Sequence, residues 1–123
     1  MTIKEDRTLV KKIWGYELWF VNRPEYCGKL LFIDEGARCS NHCHKIKTET
    51  FFCPEGRVIL TIDDKKYDLN PMARAKTIFP GEYHTFWAEI KSTLIEVSTH
   101  HEDTDSYRLD VSREGKGEKW EMD

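Results

Sequence analysis

The sequence predicts an all-β domain, a sandwich or barrel of short strands, and three observations lead there. Apolar runs of four to eight residues recur, several alternate in polarity, and turn-forming residues separate them. The first run is YELWFV (residues 16–21), and after the breaker NRPE comes GKLLFI (28–33). Beyond DEGA, the run TFFC (50–53) leads through PEG into RVILTI (57–62). Here Val58, Leu60 and Ile62 alternate with Ile59, Thr61 and Asp63, as a strand with one buried face requires. Past DDKK and LNPM lie KTIF (76–79), the turn PGEY and HTFWAEI (84–90). In the last of these His84, Phe86 and Ala88 share a face opposite Thr85, Trp87 and Glu89. STLIEVST (92–99) closes the series. Helix is expected at most in the first dozen residues or in VSREGKGEKW, a charged, glycine-broken stretch that reads as a loose tail. No repeat or linker divides the chain, and 123 residues suffice for one core, so residues 1–123 are read as a single domain.

The 19 basic and 22 acidic side chains give a formal charge of −3, which argues against a nucleic-acid surface. The charged start MTIKEDRTLVKK and the lack of a long apolar run argue against a secretory signal and a membrane span. A soluble, cytoplasmic protein is expected. In a reducing compartment Cys27, Cys39, Cys43 and Cys53 are expected as thiols. Cys39 and Cys43 beside histidines also suggest structural zinc, but the paired C-x2-C knuckles of such a site are missing.

The stretch NHCHKIKTETFF (41–52) places two of the five histidines one residue apart. A helix would point them to nearly opposite sides, whereas a strand puts His42 and His44 on one face with Cys43 on the other. Glu49 lies at an odd offset from His44, so the backbone must bend within Lys45–Thr48 for all three to converge. The complement is FPGEYHTFW, where Pro80 and Gly81 turn the chain and His84 opens the next strand. His42, His44, Glu49 and His84 together offer three imidazoles and one carboxylate to a divalent metal. This set leaves coordination positions open for water or substrate. It suits manganese, iron, nickel, cobalt or zinc better than calcium or magnesium, which favour oxygen.

GARCSNHCHKIKTETFFCPEG fits G-x5-H-x-H-x4-E-x6-G from Gly36 to Gly56, and PGEYH supplies a proline, a glycine and a histidine in order. Together they resemble the two motifs of the cupin superfamily. The second match is partial: Pro80 adjoins Gly81, and Arg74 and Ala88 stand where that family usually has glycine and asparagine. The resemblance implies a small antiparallel jelly-roll barrel of six to ten strands with the metal inside, commonly a homodimer. Further, WGYELW, YCGKLLFI and LIEVSTHHEDTDSYR are similar to segments of sugar-handling cupins, namely the cupin domain of type II mannose-6-phosphate isomerases and D-lyxose isomerase-like proteins. That similarity spans about residues 14–108, the expected core, between a short N-terminal extension and the tail.

The resemblance implies aldose–ketose isomerisation of a sugar or sugar phosphate, with an enediol held by the metal. Such chemistry needs a base beside the substrate carbon, and Glu96, flanked by Ile95 and Val97, is the leading candidate; desolvation would raise its pKa toward a useful range. An outward-facing Glu96 would not serve. Lys29 is the second interior candidate, able to hold a hydroxyl or phosphate. In the loop after the last strand, His100, His101, Asp103, Asp105, Tyr107 and Arg108 are groups that read sugar hydroxyls, and the arginine can clamp a phosphate. Two functions compete: a metal-dependent sugar isomerase, or a cupin that binds a sugar or nucleotide sugar without turning it over. An iron dioxygenase would use a similar ligand set, but nothing outside the metal site supports one. A buried carboxylate within reach of the metal's open side favours the isomerase.

Overall fold

Each alternating run becomes a strand that buries one side and exposes the other. The computed structural model describes residues 8–121. Its strands, in chain order, are β1 (Thr8–Lys12), β2 (Gly15–Asn22), β3 (Cys27–Ile33), β4 (His42–Cys43), β5 (Glu49–Glu55) and β6 (Val58–Ile62). There follow β7 (Lys65–Leu69), β8 (Lys76–Ile78), β9 (His84–Ala88), β10 (Ser92–Ser98), a 3-10 turn (Asp103–Asp105) and β11 (Tyr107–Arg108). The seven expected runs are all strands. Residues 8–12, expected as possible helix, are instead a strand that extends the sheet beside β2, and the rest of that expectation, residues 1–7, lies outside the described residues.

Among the described residues the strands form two antiparallel sheets, ordered β1-β2-β3-β10-β5-β8 and β11-β4-β9-β6-β7. No ladder joins their edges, so the barrel is an open one, closer to a sandwich. The inward sides carry Leu31, Ile33, Phe51 and Leu94 from the first sheet and Val58, Leu60, Ile62, Phe86 and Ala88 from the second. Trp14 joins them, with its ring edge-on to Phe86 at 5.0 Å. Each fully buried large apolar side chain contributes roughly 1.5–3 kcal/mol.

The tail has no helix, yet it is tied down. Arg38 and Arg113 exchange backbone hydrogen bonds, Lys116 N–H donates to the Glu35 carbonyl, and the Trp120 indole N–H donates to the Ile33 carbonyl at 3.1 Å. It therefore runs beside the 35–41 segment that leads into the first histidine motif.

Register decides what reaches the interior of the site. Across the six-stranded sheet, Trp19, Lys29, Glu96 and Phe51 are direct neighbours in one row. Glu96 thus lies on the same side as buried Leu94, while Ile95 and Val97 point outward. In the other sheet β4 and β9 pair through His42 opposite His84. One ladder rung therefore joins the two sequence motifs.

Candidate metal centre

The three histidines converge for local reasons. His42 and His84 are opposed on neighbouring strands with ring centroids 4.3 Å apart, and His44 follows two residues after His42 with its ring 5.0 Å from His42. The Pro80–Gly81 turn is fastened to the same place, because Gly81 N–H donates to the His44 carbonyl at 2.7 Å. Gly81 has φ +87°, the left-handed region that glycine enters without strain, so the missing residue between Pro80 and Gly81 does not spoil the turn.

The expected bend within Lys45–Thr48 is present, and Asp105 builds it. Its carboxylate accepts the backbone N–H groups of Lys45 at 2.9 Å, Ile46 at 3.2 Å and Lys47 at 3.0 Å. These bonds outweigh the effect of burial and hold the Asp105 carboxyl below the usual aspartate range. With the bend made, Glu49 opens β5 facing inward, and its Oε2 lies 2.9 Å from His44 Nε2 and 3.6 Å from His84 Nε2.

The hydrogen-bond pattern fixes the tautomers. His42 Nδ1 meets the Ser40 carbonyl at 2.7 Å, His44 Nδ1 the Asp105 carbonyl at 2.7 Å, and His84 Nδ1 the Glu82 carbonyl at 3.0 Å. A carbonyl only accepts, so each Nδ1 carries a hydrogen and each ring turns its Nε2 toward its fellows. Glu49 Oε2 and His84 Nε2 are buried with no hydrogen-bond partner. Burial, followed by the neighbouring His84, lowers the His42 pKa to about 3, and burial also lowers that of His84. Imidazole rings whose Nε2 atoms converge in one pocket, each with its other nitrogen anchored to a backbone carbonyl, fit a divalent transition metal. The three histidines offer ligand atoms within 4.8 Å of one another. The four cysteines are free and buried, and burial pushes the Cys39 thiol up to about 12, so they stand outside this group as thiols.

The histidines open on a cavity of about 80 Å³ whose far wall is polar. Lys29 is 1% exposed, 3.7 Å from a Glu17 oxygen, with its ammonium 4.3 Å from the centre of the Trp19 ring. Glu96, 3% exposed, binds Lys47 Nζ at 3.2 Å, and Lys47 also stands 3.7 Å from Glu49 Oε2. Burial pushes the Glu96 carboxyl up against the pull of Lys47, and the Glu49 charge adds to the rise. Lys47 stays cationic, because the charges of Glu96 and Glu49 outweigh its burial. Of the loop residues, His101, Asp103 and Arg108 line the cavity. Asp105 does not: its oxygens serve the bend. Tyr107 is on the strand face turned away and stacks with Lys45, 4.3 Å from ring centre to ammonium.

Sequence reasoning passed over Glu17, Lys47 and Lys12, which also line the cavity. Lys47 falls within the expected bend, yet its two-residue spacing from Glu49 is the signal of a shared face. Glu17 and Trp19 carry the same signal.

No protein-family model matches the chain. Over 80 residues it is 35% identical to the D-lyxose/D-mannose isomerase of Thermosediminibacter oceani, covering 60% of this chain and 43% of that one. The chain therefore spans less than half the length of that curated relative. Among solved structures, the capsular polysaccharide assembling protein CapF of Staphylococcus aureus superposes with TM-score 0.75 at 19% identity, over 85% of this chain and 32% of its own. An RmlC-like cupin from Shewanella frigidimarina superposes with TM-score 0.71 at 14% identity, over 85% of this chain and 93% of its own. Two facing antiparallel sheets, the paired histidine motifs between them and these superpositions together establish that the protein has the RmlC-like cupin fold.

Proposed function

We propose that the protein is a metal-dependent aldose–ketose isomerase acting on a sugar or sugar phosphate. His42, His44, Glu49 and His84 would hold one divalent ion of manganese, iron, nickel, cobalt or zinc. When bound, such an ion supplies Lewis acidity toward neighbouring carbonyl and hydroxyl oxygens. The observation that carries the reading is Glu96: a buried carboxylate facing the same cavity as the histidines, joined to Glu49 only through the Lys47 ammonium. A binding module has no need of a desolvated base there, whereas proton transfer between adjacent sugar carbons does. The match to a D-lyxose/D-mannose isomerase supports the same reading, without fixing the sugar.

In this proposal Glu96 takes the C2 proton of the aldose and returns it to C1, while the O2 hydroxyl proton passes to O1, so that the carbonyl moves from C1 to C2. Lys29 donates to a substrate hydroxyl, and Arg108, which pairs with His42 on the β11–β4 ladder, receives the far end of the sugar or its phosphate at the rim. Incubation of metal-loaded protein with mannose- and lyxose-type aldoses in deuterated water should exchange the C2 hydrogen. Glu96→Gln should slow exchange by ~10²–10⁴-fold while metal stays bound. Tight sugar binding with no exchange across a broad panel would replace the isomerase with the non-catalytic binding cupin.

We further propose a homodimer through the outer side of the six-stranded sheet. There Leu9, Leu18, Leu30, Ile95 and Phe52 form a continuous cross-strand row, with Phe20 and Val97 beside it, 45% and 52% exposed. An apolar outer face of that extent marks an interaction surface.

A further inference from the structure

His101 was expected to touch sugar, yet its ring is fully engaged by the protein. Nε2 lies 2.8 Å from Asp103 Oδ1, and a carboxylate only accepts, so Nε2 carries the hydrogen. Nδ1 then holds a lone pair, and it faces Lys47 Nζ at 3.2 Å, an ammonium that only donates. The ring is fixed on its other sides too. Asn22 brackets the His101 backbone, accepting its N–H at 3.1 Å and donating to its carbonyl at 3.3 Å, and the Trp19 ring packs edge-on at 4.8 Å. Burial, followed by the charges of Lys29 and Lys47, lowers the His101 pKa to about 4, which agrees with a neutral ring.

Lys47 has three hydrogens and three neighbours for them. One goes to Glu96 Oε2 at 3.2 Å, one to His101 Nδ1, and the third faces Glu49 Oε2 at 3.7 Å. Remove the His101 acceptor and the ammonium is left with two carboxylates, free to swing toward Glu49 and release Glu96 from its place. We propose that Asp103 and His101 form a positioning pair that fixes Lys47 between Glu96 and Glu49, so that His101 acts on the reaction through Lys47 and does not contact the sugar. The consequence for catalysis rests on the isomerase reading above; the positioning itself does not.

The test has two arms on the full-length, metal-loaded protein. In nitrogen-15 NMR near neutral pH, His101 is expected as the Nε2–H tautomer, opposite to the Nδ1–H form of His42, His44 and His84. The Lys47 ammonium hydrogens should be slow to exchange with water in the parent protein, fast in His101→Leu and slow again in His101→Asn, whose amide oxygen can take the place of Nδ1. An Nδ1–H or charged His101, or Lys47 hydrogens indifferent to both variants, overturns the proposal. In the kinetic arm, His101→Leu should lower kcat for C2 exchange by about 10–100-fold with KM within about threefold and metal content unchanged, and His101→Asn should recover most of the loss. A raised KM with kcat intact in both variants would make His101 a sugar contact and overturn the proposal. If the parent protein exchanges no sugar hydrogen, the isomerase reading fails, while the NMR arm still decides the role of His101.

Discussion

Replacing Asp105 with alanine tests how the site is built. The substitution removes a carboxylate that accepts three backbone N–H groups, at 2.9, 3.2 and 3.0 Å, and leaves the Asp105 carbonyl to hold His44 Nδ1 on a loosened segment. Hydrogen bonds to a charged acceptor are worth roughly 1.5–3 kcal/mol each, which would put the loss near 6 kcal/mol. Lys45 and Ile46 are exposed, however, and water can satisfy their N–H groups. Only the Lys47 N–H is left buried and unpaired, so the expected destabilisation is about 3 kcal/mol. With a urea m-value of about 1.5 kcal/mol/M, that moves the unfolding midpoint of metal-free protein by about 2 M. Metal affinity should fall about 10–100-fold, since the support of one ligand is gone. Because the folded-state Asp105 pKa is depressed, its contribution is present above the ordinary aspartate value and fades as pH falls through the lowered one. The gap between parent and variant should therefore narrow in strong acid. Asp105→Asn should be intermediate, as one amide oxygen can still accept while the NH2 group opposes a backbone donor. A midpoint shift below about 0.5 M together with unchanged metal affinity would refute the account, and would return Asp105 to the role of sugar reader.

Acid should undo the centre: His42 has its pKa lowered to about 3 and His84 is also depressed, so below ~6.5 the unfolded chain binds protons that the folded chain excludes. Stability of metal-free protein should thus decline from about pH 6.5 toward 3, by a few kcal/mol in all, and bound metal should be lost somewhere under about pH 6 on dialysis; equal unfolding midpoints at pH 7 and 4 would contradict this. For the outer sheet face, Ile95→Glu places a charge in the middle of the apolar row and should convert a sedimenting dimer to a monomer with the fold intact, whereas a parent protein that already sediments as a monomer would remove the dimer proposal.

Much of this was legible in the chain, because strand periodicity leaves a direct mark. Val58, Leu60 and Ile62 are buried as their alternation requires, and the histidine spacing alone sets His42, His44 and Glu49 around a bend. Periodicity did not choose the face of Glu96. Ile95 and Val97 are more apolar than their glutamate neighbour, so pattern alone would turn Glu96 to solvent; they point outward because that face of the sheet is itself apolar. The short strands β4 and β11 have too few residues to show a period. The role of Asp105 was hidden for another reason: an aspartate that accepts N–H groups nearly sixty residues away leaves no local trace, and only the folded path of the loop brings it to Lys45–Lys47.

The composition of the interior supports the proposed chemistry. Lys29, Glu17, Lys47, Glu96 and Glu49 are held largely out of water, where the apolar cluster among the described residues numbers only fifteen buried side chains. Removing an ion from water costs several kcal/mol even after relaxation, and its partner seldom returns more than that. Apolar residues of similar shape at Lys47 and Glu96 would fold as well or better. The polarity is also confined. Along β3 and β10 the inward residues change from Lys29 and Glu96 beside the histidines to Leu31, Ile33 and Leu94 away from them. Stability would have extended the apolar rows through to the histidines. A charge cluster that stops at the edge of the cavity, with each ammonium placed between or beside carboxylates, is what a site handling protons and hydroxyl groups requires, and what a merely stable sandwich would lack.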